Sequence, residues 1–215
     1  MNELAGYPGT GPIGPNKYWE YPWALLNGKL AGRLSILDAA CGKSPVQCFL
    51  STLGHQVHGI DNEINVAWHG IDASINRGLR HPVRYCVGDI GALPYRPASF
   101  DRVFCLSVLE HCRGDAGRRE TATAQQRRIL TDLYRVLRPG GRLVLTFDHY
   151  CGERMHPDNI DVGPVLAAVG IVADHAAVFR AADEPAASGL MVSTYLNETQ
   201  VSVGVVVDKP RSGAR

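Results

Sequence analysis

Three aspartates follow short apolar runs of the chain, where their carboxylates could accept hydrogen bonds from a bound ligand. Asp38 ends the first run, and the small residues that follow it up to Gly42 would let a ligand approach the backbone at the start of a helix. Asp61 ends a second run, with Asn62 beside it, in the position of an acid that binds ribose hydroxyls in dinucleotide folds. Asp89 lies just past a third run, where a side-chain oxygen could accept the proton of an adenine amino group. The small-residue turn after Asp38 could instead serve only packing, and Asp61 could be a solvated loop acid or a helix cap. The occurrence of such elements in order, each at the end of an apolar run, nevertheless indicates a ligand site.

Candidate general bases follow two further apolar runs. His111 ends a Leu-Glu-His stretch, and His149 stands between an aspartate and Tyr150. Histidine titrates near neutral pH and therefore suits proton transfer. His111 could equally cap a helix or support a ligand pocket, and His149 could be an ordinary loop histidine. His156 is a weaker candidate for the same role.

An aromatic cluster precedes the first apolar run. Its members are Tyr18, Trp19, Tyr21 and Trp23, which follow a segment rich in Gly and Pro. They could form a lid that closes over bound ligands, or they could pack the first helix onto the sheet. Residues 1–16 are expected to form an irregular arm.

The predicted elements place these residues at one edge of a sheet. Apolar, strand-length runs at 34–37, 57–60, 83–87, 102–106 and 142–147 alternate with helical stretches at 46–53, 64–77 and 118–137. This alternation predicts an α/β fold with a mostly parallel sheet covered on both faces, whose ligands bind at the carboxyl ends of the strands. In the tail, a helix near 162–169 precedes strand-like runs at 171–179 and 201–207, with an Ala- and Gly-rich loop between these two. The two runs predict an antiparallel pair that closes one edge of the sheet.

Composition and charge narrow the classes of function. The chain of 215 residues carries 22 basic and 21 acidic residues, a net charge of +1 that gives no electrostatic footprint for nucleic acid. No apolar run reaches the length of a membrane span and the N-terminal segment lacks signal-peptide features, so we expect a cytoplasmic protein without a membrane partner. The six cysteines show no C-x-x-C spacing and are expected to be reduced, mostly buried thiols.

Between positions 34 and 148 the sequence resembles the class I S-adenosylmethionine-dependent methyltransferases, especially their small single-domain subgroup. The resemblance is carried by Leu-Asp-Ala-Ala-Cys-Gly at 37–42, by the segment 100–111 and by Leu-Arg-Pro-Gly-Gly at 137–141. It implies a Rossmann-like three-layer sandwich with a mostly parallel, seven-stranded sheet and an antiparallel last strand. It also implies S-adenosyl-L-methionine as the cofactor, bound by a domain at 33–215, with 1–32 as an N-terminal arm and aromatic lid helix. The cofactor-binding residues carried over from the family are Asp38, Ala40, Gly42, Asp61, Asn62, Asp89, Ile90 and Ser107.

The first motif departs from the family pattern, because Ala40, Gly42 and Ser44 stand where three glycines are usual. We expect altered packing with retained cofactor binding, since alanine and serine are the smallest substitutes. A dehydrogenase of the same fold would need a glycine-rich turn to seat a pyrophosphate, and the two missing glycines disfavour it. A catalytically inactive protein that binds the cofactor and acts as a regulatory or partner subunit stays an alternative.

The expected reaction is an in-line displacement of a methyl group from a sulfonium, so a general base matters only where the nucleophile must lose a proton. His149 and His111 are the candidates for that base. The chain lacks the Asn-Pro-Pro-Tyr stretch that is typical of adenine or glutamine amide methylation, and it lacks the Pro-Cys pair that is typical of cytosine methylation. The fourth strand does not end in a carboxylate, so a metal-assisted catechol-type site would lack its first ligand. We therefore expect metal-independent transfer to an oxygen or nitrogen of a small-molecule acceptor, by a monomer or homodimer. The residues expected to face substrate or form the lid are Tyr18, Trp19, Tyr21, Trp23 and Tyr150.

Overall fold

A computed structural model describes residues 16–62, 73–113, 119–150, 159–172, 191–197 and 200–211 of the chain. The helices are α1 (Lys17–Asn27), α2 (Pro45–Thr52), α3 (Ala73–Gly78), α4 (Arg119–Val136) and α5 (Val162–Ala167). The strands are β1 (Ser35–Ala39), β2 (Gln56–Asp61), β3 (Arg84–Val87), β4 (Phe100–Leu106), β5 (Leu137–Tyr150), β6 (Met191–Asn197) and β7 (Gln200–Asp208). A 3-10 turn at Leu109–His111 follows β4.

The strands form one sheet in the order β3-β2-β1-β4-β5-β7-β6. β1 to β5 are mutually parallel where they pair, whereas β7 runs antiparallel to both β5 and β6. The predicted α/β class, with a mostly parallel sheet and an antiparallel last strand, is confirmed. The strand order reverses between β1 and β4, and ligands of open α/β sheets bind at the carboxyl edge beside such a reversal.

Helices cover both faces of the sheet. On one face, α4 and α5 contribute residues such as Leu133 and Val165 to a core that includes Leu37 and Val103. On the other face, α1 and α2 pack a second core around Phe104. The central strands β1, β4 and β5 are largely buried from both sides, which explains their nearly continuous apolar sequences.

Local sequence determines where several of these elements begin and end. Ser44 caps α2, because its hydroxyl accepts a hydrogen bond from the amide of Val46 at 3.2 Å. Pro45 fits the first turn of the helix, because the N–H that proline lacks would have no partner within the helix there. After α4, Gly140 adopts a φ of 77°, which glycine tolerates at no steric cost. The ammonium of Lys209 donates to main-chain carbonyls at the end of α4, at 2.7 and 2.8 Å, and so satisfies acceptors that the helix leaves open.

Several elements differ from the sequence predictions. The antiparallel partner of β7 is Met191–Asn197, in the region predicted to be a loop, and not the run at 171–179. Ile171 and Val172 lie outside any strand, and the rest of that run lies outside the described residues. β5 begins at Leu137, before the predicted 142, because Leu137 pairs with Phe100 ahead of an irregular register. Of the helix predicted at 64–77, the described part is Ala73–Gly78, and 64–72 lie outside the described residues.

The described cysteines are free thiols, as predicted, and burial raises the pKa of several of them. Cys41, Cys48 and Cys105 are buried, while Cys86 and Cys112 are half-buried; Cys151 lies outside the described residues. No helix within the described ranges is both long and apolar enough to cross a membrane.

Candidate functional site

The turn between β1 and α2 places a buried carboxylate at the strand-order reversal. Asp38 is 3% exposed, and its Oδ2 has no hydrogen-bond partner in the described part of the chain. Burial raises its pKa to about 7, a hydrogen bond from Gln47 opposes that shift, and the nearby charge of Asp61 adds to it. The turn itself is tight: Ala40 and Gly42 have φ angles of 54° and 44°, in the left-handed region that disfavours larger side chains. Asp38 is therefore an incompletely paired acid beside a strained turn, a combination that collects at binding sites.

Asp61 connects the end of β2 to this turn. Its Oδ2 accepts from the amide of Gly42 at 2.9 Å, and its Oδ1 accepts from the amide of Asn62 at 2.8 Å. The half-buried carboxylate keeps lone pairs for further donors, because each oxygen can accept two hydrogen bonds. The structure thus brings together Asp38, Gly42 and Asp61, as the sequence predicted.

Two supporting residues were missed at the sequence level. Gln47 is fully buried on α2, where its amide donates to the carbonyl of Cys41 at 2.6 Å and its Oε1 accepts from the hydroxyl of Tyr85. Gly59 on β2 has no room for a side chain, since a Cβ there would come within 2.9 Å of the Tyr85 ring and of the Cys41 sulfur. A glycine in the middle of an apolar strand was the signal for this close packing.

Asp89 and Ile90 follow β3 as predicted. The Oδ1 of Asp89 accepts from the amide of Gly91 at 2.7 Å, and its Oδ2 pairs with the guanidinium of Arg128 at 3.1 Å. The carboxylate is about half exposed, so it keeps access to further donors. Ile90 is 8% exposed and packs against the core under this loop. The loop is held on α4, because the amide of Leu93 donates to Asp132.

Ser107 at the end of β4 connects the sheet to α1. It has a φ of 52°, unusual for a residue other than glycine, and its amide donates to the carbonyl of Thr146 at 2.9 Å. Its hydroxyl donates to the carboxylate of Glu20, which is fully buried on α1. Glu20 in turn forms an ion pair with the ammonium of Lys17. No sequence signal marks Glu20, because an acid within a helical stretch is most often on a solvated face.

A second pair of acids lies beside Ser107. Glu110 is 1% exposed; its Oε1 accepts from the amide of Asp148 at 3.0 Å, and its Oε2 has no partner among the described residues. Burial raises the pKa of Glu110 to about 8, main-chain hydrogen bonds lower it, and the charges of Asp148 and Glu20 raise it further. The Oδ1 of Asp148 accepts from the hydroxyl of Ser202 at 2.7 Å and from the side-chain Nδ2 of Asn16 at 3.4 Å. Glu20, Glu110 and Asp148 together form what we call the acidic cluster.

The predicted bases occupy different environments. His111 is exposed on the 3-10 turn. His149 is half-buried near the end of β5, with its Nε2 3.4 Å from the Nδ2 of Asn159. Asn159 also holds the backbone of Tyr150, accepting from its amide at 2.7 Å and donating to its carbonyl at 3.0 Å. His156 lies outside the described residues.

The aromatic residues of α1 divide between packing and the site. Trp23 is 8% exposed and lies against Gly204 of β7, and Trp19 stacks on it with 5.6 Å between ring centroids. These two therefore pack α1 onto the sheet. Tyr21 faces the β1–α2 turn: burial raises the pKa of its hydroxyl to about 12, although a hydrogen bond with Ser44 lowers it. Tyr18 is 52% exposed.

The described acids, cysteines and histidines do not form a group able to hold a metal ion. The carboxyl edge of the sheet instead collects separate carboxylates, two of which have a buried oxygen without a described partner. Such oxygens suit ligands that carry positive charge or hydrogen-bond donors.

Comparison with known proteins agrees with this arrangement. The family described as "Methyltransferase domain" matches residues 37–145, just over half of the chain. Malonyl-[acyl-carrier protein] O-methyltransferase of Salmonella typhimurium is 30% identical over 122 residues, which are 57% of this chain and 41% of that protein. Sterol 24-C-methyltransferase of Pneumocystis carinii is 25% identical over 108 residues, which are 50% of this chain and 26% of that protein. The chain thus spans less than half the length of either relative.

A solved structure shares the fold. Phosphoethanolamine N-methyltransferase 2 of Haemonchus contortus, in complex with S-adenosyl-L-methionine, superimposes with a TM-score of 0.57 at 16% identity. The match covers 93% of this chain and 54% of that one.

The residues at the carboxyl edge fit that cofactor. S-adenosylmethionine carries an ammonium and a sulfonium, and the buried, incompletely paired Oδ2 of Asp38 is an acceptor for a cation. Asp61 offers a carboxylate for ribose hydroxyls, and Ala40 and Gly42 leave the turn narrow enough for close approach to the backbone. The chain therefore belongs to the methyltransferase-domain family.

Proposed function

We propose that the chain is an S-adenosylmethionine-dependent methyltransferase, which transfers the methyl group to an oxygen or nitrogen of a small-molecule acceptor without a metal ion. The observation that carries the proposal is Asp38, a buried carboxylate at the strand-order reversal with one oxygen open to a ligand. Displacement from a sulfonium needs no Lewis acid, because the sulfur leaves as a neutral thioether. The curated relatives methylate a carbon of a sterol and an oxygen of malonyl-acyl carrier protein, by their names, so the acceptor is argued below from this chain's own residues.

The cofactor roles follow the order of the strands. We assign Asp38 to the ammonium of the methionine part and Asp61, with Asn62 beside it, to the ribose hydroxyls. Asp89 is half-exposed beside a buried Ile90, a pairing that suits the amino group and the ring of adenine. The small residues Ala40 and Gly42 and the strained Ser107 complete the predicted set. In this assignment residues 33–215 form the cofactor-binding domain.

The chain's contribution to the reaction is alignment and exclusion of water. When bound, the cofactor supplies an activated methyl group whose leaving sulfur departs without protonation. α1 covers the carboxyl edge through the Glu20–Ser107 and Asn16–Asp148 contacts, and so keeps solvent from the end of β4. This placement supports residues 1–32 as an arm and lid helix, of which 16–32 are described. His149, half-buried beside Tyr150, is better placed than the exposed His111 to meet an acceptor.

Titration calorimetry with S-adenosylhomocysteine tests the site. Wild type should bind, and Asp61→Ala should bind tenfold or more weakly, since hydrogen bonds to a charged group contribute about 1.5–3 kcal/mol each. Asp101→Ala is the matched control: Asp101 also accepts from a main-chain amide, that of Ser35 at 2.8 Å, but at the amino end of β4. Its affinity should equal that of wild type. The assignment fails if wild type does not bind or if Asp61→Ala binds as tightly as wild type.

A further inference from the structure

The acidic cluster lies on the opposite side of the strand-order reversal from Asp61 and Asp89. Glu110 follows β4, Asp148 lies near the end of β5, and Glu20 reaches the same place from α1. Glu20 and Glu110 are 0% and 1% exposed. Carboxyl groups buried beside one another destabilise their charged forms, so the ionised cluster is unfavourable unless a cation balances it.

One member of the cluster is incompletely paired. The Oε1 of Glu110 accepts from the amide of Asp148 at 3.0 Å, whereas its Oε2, equally buried, has no partner in the described part of the chain. A buried acceptor in a native structure is normally paired. The open oxygen therefore points to a donor supplied by a ligand.

Lys17 shows which donor fits. It is the first residue of α1, its side chain is about one quarter exposed, and its ammonium contacts the buried carboxylate of Glu20. A primary alkyl ammonium thus already reaches the cluster from the solvent side. An acceptor with the same group could replace it.

We infer that the acidic cluster is the acceptor subsite and takes an alkyl amine, whose nitrogen Glu20 and Glu110 bind in place of Lys17. The inference rests on the proposed function and narrows it to nitrogen methylation. The positive charge of the bound ammonium favours the ionised form of Glu110, so Glu110 releases its proton to water as the acceptor binds. In the transfer, the ammonium of the acceptor gives one proton to the Glu110 carboxylate. The nitrogen lone pair then forms a bond to the methyl carbon while the carbon–sulfur bond breaks and its electron pair stays on sulfur. The positive charge moves to the methylated nitrogen, and Glu110 releases its proton to water.

The test compares two probes of one shape on the protein saturated with S-adenosylhomocysteine. n-Butylamine, which is an ammonium at neutral pH, should bind, and n-butanol should not, as measured by ligand-observed NMR titration. Glu20→Gln and Glu110→Gln should each weaken butylammonium binding tenfold or more while the affinity for S-adenosylhomocysteine is kept. Lys17→Gln should tighten butylammonium binding several-fold, because the competing internal cation is gone. Lys29→Gln, a lysine change beside the exposed Asp208, is the matched control and should have no effect.

The opposite sign expected for Lys17→Gln protects the test from variants that merely fold poorly, since a damaged protein would not bind more tightly. Equal binding of butanol and butylammonium, or butylammonium binding that is unchanged in Glu20→Gln, overturns the inference while the proposed function stands. Loss of S-adenosylhomocysteine binding in Glu20→Gln or Glu110→Gln would assign the acidic cluster to the cofactor and also overturn it. Absence of S-adenosylhomocysteine binding to wild type would instead refute the proposed function itself.

Discussion

Without ligand, the stability of Asp38→Asn relative to that of wild type should increase as pH rises. The same replacement should weaken binding of the cofactor. The carboxyl is 3% exposed and its pKa is raised by burial from 3.8 to about 7. Between those two values the unfolded chain has released a proton that the folded chain retains, so stability is lost as pH rises through this window. Holding that proton costs about 1.4 kcal/mol for every tenfold fall in proton concentration. From pH 5 to pH 7 the buried acid should therefore cost wild type about 2–3 kcal/mol that the variant does not lose.

Asparagine brings a cost of its own. Its amide NH2 would replace the unpaired Oδ2, and a buried donor without a partner costs about 1–3 kcal/mol. That cost does not change with pH, so the pH dependence isolates the carboxylate. Urea unfolding at pH 5, 6, 7 and 8 should show the free energy of unfolding of Asp38→Asn rising relative to wild type up to about pH 7. A difference that stays constant over this range would mean that Asp38 is ionised in the fold, and the burial argument would be wrong.

Cofactor binding should respond in the opposite sense. The ionised carboxylate is the form that holds an ammonium, so wild-type affinity for S-adenosylhomocysteine should rise from about pH 6 to about pH 8, as the carboxyl of Asp38 ionises. Asp38→Asn should bind tenfold or more weakly at the higher pH and lose this dependence. Calorimetry that finds equal affinity at both pH values and in both proteins would remove Asp38 from the site.

Two further predictions concern the scaffold. Gly204→Ala should lower the free energy of unfolding in urea by about 1–3 kcal/mol, because a Cβ there would lie 2.5 Å from the Trp23 ring. Gly78→Ala is the control and should not lower it, because a Cβ at Gly78 would have no neighbouring atom within 4 Å. Equal effects of the two substitutions would contradict the packing of Trp23 against Gly204. Asp208→Asn should cost about 1–3 kcal/mol at neutral pH, because it removes the negative charge and one of the two oxygens that accept from the nearly buried Arg142 at 2.6 Å, with the half-exposed Asp208 limiting the loss. Arg142 lowers the pKa of Asp208. The stability difference between wild type and Asp208→Asn should therefore shrink as pH falls through that lowered pKa. A stability difference that does not change with pH would contradict this explanation.

The parallel half of the fold was predictable because its signals are local. β1 and β4 are short apolar runs followed by a polar or small residue, and burial from both faces requires that pattern. The acids at the strand ends, Asp38 and Asp61, follow from the same pattern. Their proximity needed only the rule that parallel strands end at one edge of the sheet.

The tail was not predictable in this way. Two segments of similar apolar content, 171–179 and Met191–Asn197, were possible partners for β7. In the structure, Met191–Asn197 forms the hydrogen-bonded pair with β7. The alternation of β-branched residues at Val192 and Thr194 was a usable signal, but the Ala- and Gly-rich stretch before it favoured a loop. Antiparallel pairing is decided by tertiary contacts, which no local window contains.

Glu20 and Glu110 show a different limit of sequence analysis. Their burial depends on partners far away in the chain, Ser107 for one and the amide of Asp148 for the other. A polar side chain within a helix or turn reads as solvated until those partners are known. The hydrophobic pattern therefore locates the cofactor edge, while the residues proposed to select the acceptor become visible only in three dimensions.

The charges of the two groups of acids also bear on the direction of the reaction. Asp38 and Asp61 lie on the cofactor side of the reversal and the acidic cluster lies on the other, so both halves of the edge favour cations. Methyl transfer removes the sulfonium charge from the cofactor and places a positive charge on the acceptor nitrogen. While the methylated nitrogen keeps its proton, a cation still balances the acids on the acceptor side of the edge. The attraction of the edge for the spent cofactor falls, because the cofactor has lost its sulfonium charge. The same electrostatics that favour a charged cofactor on entry therefore favour release of the neutral thioether.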